Sequence, residues 1–295
     1  MTSGITLIAP AKINLSLHIL GKRADGYHEI ETLMAPLTLA DEIELQLAPE
    51  AEPGTISFFC SDPTLPSNAD NLCVRAARTF YEASGISESI KITLLKKIPH
   101  GAGLGGGSSD AATILRGMNE LFKEPIPFEK LYQLAISLGS DVPFFLNPKP
   151  RWCRGRGEIL GESISLPDWK LLLIKPPFPV SSAEVYTRLQ ATGYRLQDDT
   201  TLLNGISIFN DLAIPVFEKY LQLPILKSWL QARSEVAAAW MTGSGSTLVA
   251  ALQKECSAEK ILDLQKNIAA EFGKTFWIKE TCLCSRSLQP VACSP

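Results

Sequence analysis

Strands and helices that follow one another without a regular strand–helix–strand alternation predict an α+β fold for this chain. Apolar and polar residues alternate through roughly the first 60 residues, a pattern typical of antiparallel strands. Amphipathic helices begin only after that region and are then mixed with further strands. With 295 residues, 45% of them hydrophobic, the chain is long enough to bury a large core in one or two domains.

The strands of the first part of the chain are delimited by turn residues and by changes in the apolar alternation. They are predicted at Gly4–Ala9, Ile13–Leu20, Glu29–Leu39, Glu42–Leu47 and Thr55–Cys60. An amphipathic helix is predicted over Asn71–Ser84, followed by a strand with interleaved polar residues over Ile90–Lys97.

The second part of the chain carries a glycine-rich loop, further helices and apolar strands. The helix after the loop places one apolar face at Ala111, Ile114, Leu115, Met118, Leu121 and Phe122. Another helix is predicted around Glu129–Leu138. The later strands are predicted at Lys170–Lys175, Ala238–Met241, Thr247–Leu252 and Thr275–Ile278.

The charge balance argues against a polyanionic partner. The formal net charge is −3 and Lys and Arg form no long runs, so we expect neither nucleic acid nor a membrane surface as a partner. No apolar stretch approaches the ~20 residues of a membrane span. The first motif begins at Ala9, which leaves no room for a signal or transit peptide, and the odd count of 7 cysteines favours a reducing compartment. A cytoplasmic protein is therefore expected.

The most informative segment is Pro99–Asp110, in which five glycines fall within seven positions. Glycine is needed where the backbone takes a positive φ or lies against a ligand. The helix that follows presents unpaired N–H groups and the positive end of its dipole, which suit a phosphate. Ser108 or Ser109 is expected to cap this helix, with Asp110 in its first turn. The segment predicts a nucleotide-phosphate site.

Other phosphate-binding motifs fit this segment less well. A P-loop needs a lysine after its last glycine, and none follows Gly107. A dinucleotide pattern matches at Gly101, Gly103 and Gly106, but the strand before it is not continuously apolar and Lys123–Phe128 is a proline-broken loop. The chain also lacks the His-Arg-Asp and Asp-Phe-Gly segments of protein kinases.

Three segments resemble the motifs of one kinase superfamily. Pro99–Ser109 resembles the second motif of the galactokinase, homoserine kinase, mevalonate kinase and phosphomevalonate kinase (GHMP) superfamily, and Met241–Thr247 resembles its third motif. Ala9–Leu17 and Gly21–His28 are similar to the branch whose members phosphorylate 4-diphosphocytidyl-2-C-methyl-erythritol. The order and spacing of these segments extend the resemblance over essentially the whole chain.

The resemblance implies a two-domain α+β architecture with the active site in the cleft between the domains. A ribosomal-S5-like nucleotide-binding domain is expected over residues 1–165 and a ferredoxin-like substrate domain over residues 166–295. The implied activity is ATP-dependent phosphorylation of the 2-hydroxyl of the cytidyl substrate in the non-mevalonate isoprenoid pathway. ATP and Mg²⁺ are the implied cofactors, the partner is a small molecule with a cytidine diphosphate group, and the protein is a monomer or homodimer.

Three alternatives stay open at this point. Another GHMP kinase, acting on mevalonate, homoserine or a sugar, is disfavoured because Tyr27 and Tyr186 suit a nucleobase. A dinucleotide-dependent oxidoreductase would be stabilised by NAD(P) and not by ATP in a melting experiment. A non-catalytic nucleotide-binding relative is disfavoured by the presence of Lys12 and Asp141.

The resemblance implies that Asp141 is the general base and that Lys12 faces the cleft, pairs with it and stabilises the transferring charge. From the residues alone, Asp141 is equally well interpreted as a cap before Pro143, and Lys12 as a solvated strand position. Asn14 lies two residues further along the same strand face and is expected to bind substrate hydroxyls.

The remaining site residues are carried over by similarity. Those implied for ATP are Asn71, Leu72, Lys96, Pro99, Gly101, Gly103, Leu104, Gly105, Gly106, Gly107, Ser108 and Ser109, and Ser109 is also the implied Mg²⁺ contact. Those implied for the acceptor are Asn14, Tyr27, His28, Asp141, Ser182, Tyr186, Gly243, Ser244 and Gly245. Tyrosine rings are expected to stack on cytosine, with His28 hydrogen-bonding its edge. The bulky, basic stretch Arg151–Arg154 departs from the family pattern, and it either lines the domain edge or alters the access path and adds a diphosphate contact.

Overall fold

The computed structural model describes residues 4–192 and 200–284, and the predicted α+β fold is confirmed. Within these ranges the strands are β1 (Gly4–Lys22), β2 (His28–Leu47), β3 (Ile56–Cys60), β4 (Ile90–Leu95), β5 (Arg151–Arg154), β6 (Ile159–Ser163), β7 (Lys170–Lys175), β8 (Thr201–Leu203), β9 (Ile206–Asn210), β10 (Val236–Met241), β11 (Leu248–Leu252) and β12 (Trp277–Cys282). The helices are α1 (Leu72–Ser84), α2 (Gly106–Leu121), α3 (Phe128–Leu138), α4 (Val142–Leu146), α5 (Ser182–Thr192), α6 (Ala213–Lys219), α7 (Gln222–Gln231) and α8 (Ala258–Phe272).

The two longest strands form one antiparallel hairpin at the centre of the first sheet. β1 and β2 pair from Gly4 opposite Gln46 to Lys22 opposite His28. The predicted division of this region into four short strands is therefore wrong. Register shifts, one of them between Pro10 and Lys12, bend the pair without ending it, because a β-bulge absorbs an irregular residue within a continuous ladder.

The first sheet has the strand order β3-β4-β2-β1-β9-β8, with β5 paired to β2 and β6 paired to β5. β4 is antiparallel to β2 and parallel to β3. β9 joins β1 in parallel, with Ser16 opposite Phe209 and Leu17 opposite Asn210. Strands from beyond residue 200 therefore complete the sheet that the N-terminal strands begin, and the predicted domain division at residue 165 stays a prediction.

The second sheet is antiparallel, in the order β10-β11-β7-β12. Its apolar side chains pack against those of β1 and β2, so the two sheets share one buried layer. Large and small members of this layer include Ile13, Leu15, Leu33, Leu171, Leu173, Ala238, Trp240 and Val249. A second core lies under α1 to α4 on the first sheet, and a third lies under α5 to α8.

The helix boundaries follow local capping chemistry. The side chain of Asn71 accepts a hydrogen bond from the backbone N–H of Cys73 at the start of α1, and Gly85 ends that helix in the left-handed region with φ +70°. None of the helices in the described part of the chain combines the length and the apolar character that a bilayer crossing needs.

Candidate active site

A cleft of about 900 Å³ brings together segments from the whole length of the chain. This volume lies in the range of small-molecule sites. The predicted site residues that line it are Lys12, Asn14, Tyr27, His28, Asn71, Leu72, Lys96, Pro99, Gly101, Gly103, Leu104, Gly105, Gly106, Gly107, Ser108, Asp141, Ser182, Tyr186, Gly243 and Ser244. Ser109 and Gly245 are the two predicted residues that are absent from this lining.

The glycine-rich loop ends directly in helix α2. Gly105 is the N-cap, with φ +70° in the left-handed region, and the helix begins at Gly106. The prediction that Ser108 or Ser109 caps the helix is wrong, because both lie inside its first turn. The first N–H groups of α2 are therefore presented by glycines, which leave room for a phosphate against the backbone.

Close packing explains why larger residues are excluded from the loop. A Cβ at Gly105 would lie 2.8 Å from Cζ of Phe145 and 2.9 Å from Cγ of Lys12. A Cβ at Gly103 would lie 2.6 Å from the carbonyl oxygen of Thr242 and 2.8 Å from that of Gly245. Gly245 therefore packs behind the glycine-rich loop, and for this reason Gly245 does not line the cleft.

The two serines of α2 have different surroundings. Ser108 lines the cleft, whereas Ser109 is fully buried and its hydroxyl has no hydrogen-bond partner in residues 4–192 and 200–284. The position of Ser109 therefore disagrees with the predicted Mg²⁺ contact.

Lys12 and Asp141 face each other across the inner end of the cleft. The ammonium nitrogen of Lys12 lies 3.4 Å from Oδ2 of Asp141 and donates a 2.7 Å hydrogen bond to Oδ1 of Asn14. The Lys12 side chain is 5% exposed and that of Asp141 is 33% exposed. The lysine is thus fixed, while the carboxylate stays open to a ligand in the cleft.

A buried hydrogen-bond network holds Asn14 in one orientation. Its Nδ2 donates to Oγ1 of Thr32 at 2.8 Å, and its backbone N–H donates to Oγ1 of Thr242 at 2.8 Å. Nε1 of Trp240 donates to the Asn14 carbonyl oxygen at 2.9 Å. Asn14 was expected to bind substrate hydroxyls, but at 3% exposure its observed contacts position Lys12.

Asp141 does not cap a helix with its side chain. It precedes α4, a short helix that was not predicted from the sequence, and its carboxylate makes no capping hydrogen bond there. The side chain instead pairs with Lys12, and a Cβ on Gly157 would lie 3.5 Å from its Oδ1. The capping interpretation of Asp141 is therefore wrong.

Lys96 lies behind the glycine-rich loop, between two buried carboxylates. Its ammonium donates to Asp41 and, at 2.8 Å, to Oδ2 of Asp110. Asp41 also accepts a 2.8 Å hydrogen bond from the backbone N–H of Ile98. Burial, together with the neighbouring Asp41, raises the pKa of Asp110. This ion cluster ties β2, the end of β4 and α2 together, so the Lys96 ammonium is already held by protein carboxylates.

Aromatic and basic side chains gather at the outer end of the cleft. The imidazole of His28 stacks on Tyr186 with ring centroids 4.9 Å apart, a direct contact that leaves no space for a base between them. The guanidinium of Arg156 lies 4.6 Å from the centroid of the Tyr27 ring. Tyr27 is 53% exposed, so the ring also offers free surface to a ligand. Burial, reinforced by Lys22, lowers the pKa of His28, which favours a neutral imidazole.

The start of α5 and the loop after β10, both from the second half of the chain, meet over the cleft. Oγ of Ser182 and Oγ of Ser244 lie 2.7 Å apart and share a hydrogen bond. A Cβ on Gly243 would lie 3.3 Å from both Oδ1 of Asn14 and Nζ of Lys12. The backbone of this loop therefore lies directly against the lysine.

Comparison with known proteins shows which kinase family this chain resembles over its length. Residues 71–148 match the family model described as the GHMP kinases N terminal domain. The 4-diphosphocytidyl-2-C-methyl-D-erythritol kinase of Methylacidiphilum infernorum is 42% identical over 280 residues, covering 93% of this chain and 95% of its own. The corresponding enzyme of Desulfotalea psychrophila is 36% identical over 279 residues, covering 90% of this chain and 91% of its own.

The chain belongs to the 4-diphosphocytidyl-2-C-methyl-D-erythritol kinase family.

Solved structures agree with this membership. A crystal structure of a protein named 4-(cytidine 5'-diphospho)-2C-methyl-D-erythritol kinase has a TM-score of 0.75 and 32% identity, covering 95% of this chain and all of its own. A homoserine kinase from Cytophaga hutchinsonii, with a TM-score of 0.66 and 18% identity, shares the fold. The predicted superfamily resemblance is confirmed, and the oxidoreductase alternative is wrong.

The departure of this chain from the family pattern lies beside the cleft and not in it. The residues of the Arg151–Arg154 stretch form β5, which pairs with β2 opposite Thr32–Met34. Arg154 forms an ion pair with Glu31 at 2.8 Å, and the stretch contributes no residue to the cleft lining. β5 lies between β2 and β6 in the first sheet, so the expectation that the stretch lines the domain edge stays a prediction.

Several residues of this site were not singled out from the sequence. Thr32, Trp240 and Thr242 orient Asn14, and Asp41 holds Lys96, from distant positions in the chain. Thr32, Asp41 and Trp240 lie outside the motif segments, and Thr242 lies within Met241–Thr247, whose pattern does not indicate its hydrogen bond to Asn14. Arg156 carries a weak signal, because it falls between two glycines of the Gly-Arg-Gly turn that follows the departure.

Proposed function

We infer that this chain transfers the γ-phosphoryl group of ATP to the 2-hydroxyl of 4-diphosphocytidyl-2-C-methyl-D-erythritol, giving the 2-phosphate and ADP in the non-mevalonate isoprenoid pathway. The observation that carries this inference is the Lys12–Asp141 pair, 3.4 Å apart beside the glycine-rich loop. A phosphate cradle, a fixed cation and an accessible carboxylate in one cleft are what phosphoryl transfer to an alcohol requires.

Asp141 is the proposed base. Its carboxylate accepts the proton of the 2-hydroxyl while the hydroxyl oxygen attacks the γ-phosphorus and the bond to the β-phosphate oxygen breaks, releasing ADP. The ammonium of Lys12 lies 3.4 Å from Oδ2 of Asp141 and pairs with this carboxylate. Because the transition state of phosphoryl transfer is loose, the carboxylate orients the hydroxyl first and takes its proton late.

The same ammonium stabilises charge on the transferring group. Lys12 is held by Asn14 and lies against the backbone of Gly243, so its position is set before the substrates arrive. A preorganised cation does not have to reorganise as charge develops, and this makes it effective in a water-poor cleft.

The nucleotide is proposed to bind along the loop and the start of α1. The N–H groups from Gly103 to Ser108 suit the β- and γ-phosphates, as they lead into the N-terminus of α2. Asn71 and Leu72 line the far end of the cleft, where the adenine is expected. Lys96 contributes by fixing the end of β4, since its ammonium is held by two carboxylates.

Mg²⁺ is proposed as the counterion of the triphosphate. Among the described residues there is no cluster of three or more His, Cys, Asp or Glu side chains suited to a metal. Mg²⁺ commonly takes most of its ligands from phosphates and water, so a single protein oxygen fits its requirements. Ser108, which lines the cleft at the helix start, is the better placed of the two serines.

The cytidine end of the acceptor is proposed to lie at the outer part of the cleft. The exposed ring of Tyr27 offers a stacking surface, and the contact between His28 and Tyr186 forms an aromatic wall. A neutral imidazole suits hydrogen bonding to a base edge. Ser182 and Ser244, which are hydrogen-bonded to each other, supply hydroxyl groups to the part of the cleft proposed for the cytidine.

The remaining expectations concern partners and location. We propose a small-molecule enzyme that binds neither nucleic acid nor membranes, as a monomer or homodimer in the cytoplasm. The net charge of −3 supports the first point. Five cysteines, Cys60, Cys73, Cys153, Cys256 and Cys282, are free thiols, which fits a reducing compartment.

Phosphorus NMR of the reaction mixture tests the proposal. With ATP, Mg²⁺ and the cytidyl acceptor, a new phosphomonoester should appear together with ADP. Parallel reactions with mevalonate, homoserine and galactose should give neither. Phosphorylation of one of those controls instead would keep the Lys12–Asp141 chemistry and reject the acceptor, whereas no transfer to any acceptor would favour a non-catalytic relative.

A further inference from the structure

Arg156 is a cleft residue to which the proposed mechanism gives no role. It lies in the turn between β5 and β6, and its side chain is 23% exposed. It lines the cleft together with Tyr27 and Asp141.

The guanidinium of Arg156 retains most of its hydrogen-bonding capacity. Nε lies 3.6 Å from Oε1 of Glu158, and the group lies over the Tyr27 ring. In residues 4–192 and 200–284 no hydrogen bond from the Arg156 side chain is formed. A guanidinium carries five N–H donors in a planar fork that matches phosphate oxygens.

The other cations of the cleft are already committed. Three Lys and Arg side chains line it within the described part of the chain. Lys12 is bound by Asn14 and Asp141, and Lys96 lies between two buried carboxylates. Arg156 is the third, and stacking on an aromatic ring leaves its N–H edge directed elsewhere.

The position of Arg156 fits the covalent order of the acceptor. The diphosphate of that molecule connects the cytidine to the methylerythritol. Arg156 contacts Tyr27, on which the base is proposed to stack, and its neighbour Gly157 approaches Asp141, where the hydroxyl reacts. The guanidinium therefore lies between the two ends of the acceptor, where the diphosphate has to pass.

We propose that Arg156 binds the diphosphate of the acceptor and makes that diphosphate a requirement for recognition. This inference rests on the proposed function, because it uses the cytidyl acceptor and its orientation in the cleft. Tyr27 then has two tasks, one face supporting the guanidinium and the remaining surface contacting the base. Glu158, whose Oε1 lies 3.6 Å from Nε of Arg156, steadies the guanidinium.

Binding of CDP and of cytidine, measured by isothermal titration calorimetry, separates a phosphate contact from base stacking. Arg156→Met should weaken CDP binding about 10- to 100-fold, the range of a hydrogen bond to a charged group, and leave cytidine binding unchanged. Arg156→Lys keeps the charge without the fork and should lose less. Arg154→Met is the matched control, because that arginine is 68% exposed outside the cleft, and it should change neither affinity.

The outcomes distinguish this inference from the function on which it rests. Equal weakening of CDP and cytidine by Arg156→Met, or unchanged binding of both, would overturn the diphosphate contact. If Arg156→Met does not fold, Arg156→Gln, which also removes the charge, takes its place, and unchanged CDP affinity in that variant would overturn the contact. Failure of the wild-type chain to phosphorylate the cytidyl acceptor would reject the proposed function itself, whatever the variants do.

Discussion

Replacement of Asp141 by asparagine tests the centre of the proposed mechanism. The change keeps the shape of the side chain and removes its ability to accept a proton. General-base contributions are typically about 100-fold to 10,000-fold, so turnover should fall by at least about 100-fold, or about 2.7 kcal/mol in the activation barrier. ATP binding should persist, because the glycine-rich loop and the start of α2, which are proposed to hold the phosphates, are unchanged in the variant.

The cost to the fold should be small. At 3.4 Å and an effective dielectric constant of about 20, the attraction between Lys12 and Asp141 is about 5 kcal/mol before desolvation is subtracted. Asp141 is 33% exposed, so water screens the pair and the net stabilisation is closer to about 1 kcal/mol. Asn14 still accepts a hydrogen bond from the ammonium in the variant. The protein should therefore stay folded while losing turnover.

Steady-state kinetics with the cytidyl acceptor, together with ATP titration by calorimetry, measures both effects. Asp263→Asn is the matched control, because that carboxylate is 58% exposed on α8 and pairs with Lys266 at the surface. It should leave kcat unchanged. A folded Asp141→Asn protein with near-normal kcat would remove Asp141 from the chemistry, and loss of ATP binding would show that its role is structural.

Three further predictions concern the scaffold of the site. Gly105 has φ +70° and no room for a Cβ, so Gly105→Ala should lower the free energy of unfolding by about 1–3 kcal/mol in urea titrations. Gly107→Ala is the control and should leave it unchanged, because a Cβ there would meet no atom within 4 Å. Lys96→Met leaves two buried carboxylates uncompensated and should cost about 3–5 kcal/mol in the same assay, and a loss under about 1 kcal/mol would contradict the ion cluster. Burial holds the pKa of His28 below 6.5, so the unfolded chain takes up this proton first and Tm should fall as the pH drops from about 7 to about 5. His28→Gln should make Tm less dependent on pH between about 7 and about 5, and an unchanged dependence would contradict the role of His28.

Elements with a strong local signal were predictable from the sequence. β7 was predicted with its observed bounds because it is a short apolar run, and α1 was predicted to end at Ser84 because its amphipathic pattern ends there. β8 and β9 were not predicted, since they are short and gain their stability from pairing with each other and with β1. The β1–β2 hairpin was divided wrongly because bulges interrupt the alternation and not the ladder.

In the candidate site, too, features with a local sequence signal were predictable and features that depend on distant residues were not. The residue types and spacing of the glycine-rich loop pointed to a nucleotide-phosphate site, whereas the roles of Lys12 and Asp141 were implied by the resemblance to the kinase superfamily. The orientation of Asn14 depends on Thr242 and Trp240, more than 220 positions away, and nothing in the local pattern indicates such contacts. The helix start at Gly106 was missed because a left-handed Gly105 caps α2 through its backbone, where a serine cap is statistically favoured.

The late arrival of β9 in the first sheet has a consequence for synthesis on the ribosome. β1 is complete at Lys22, but its parallel partner ends at Asn210, and the side chain of Asn210 bonds to the carbonyl oxygens of Met241 and Gly243. At about 5–20 residues per second, translation leaves the outer edge of β1 unpaired by this chain for about 10–40 s. An open strand edge is a template for pairing with other chains. The nascent protein thus passes through a vulnerable interval that ends shortly before the loop against Lys12 is made.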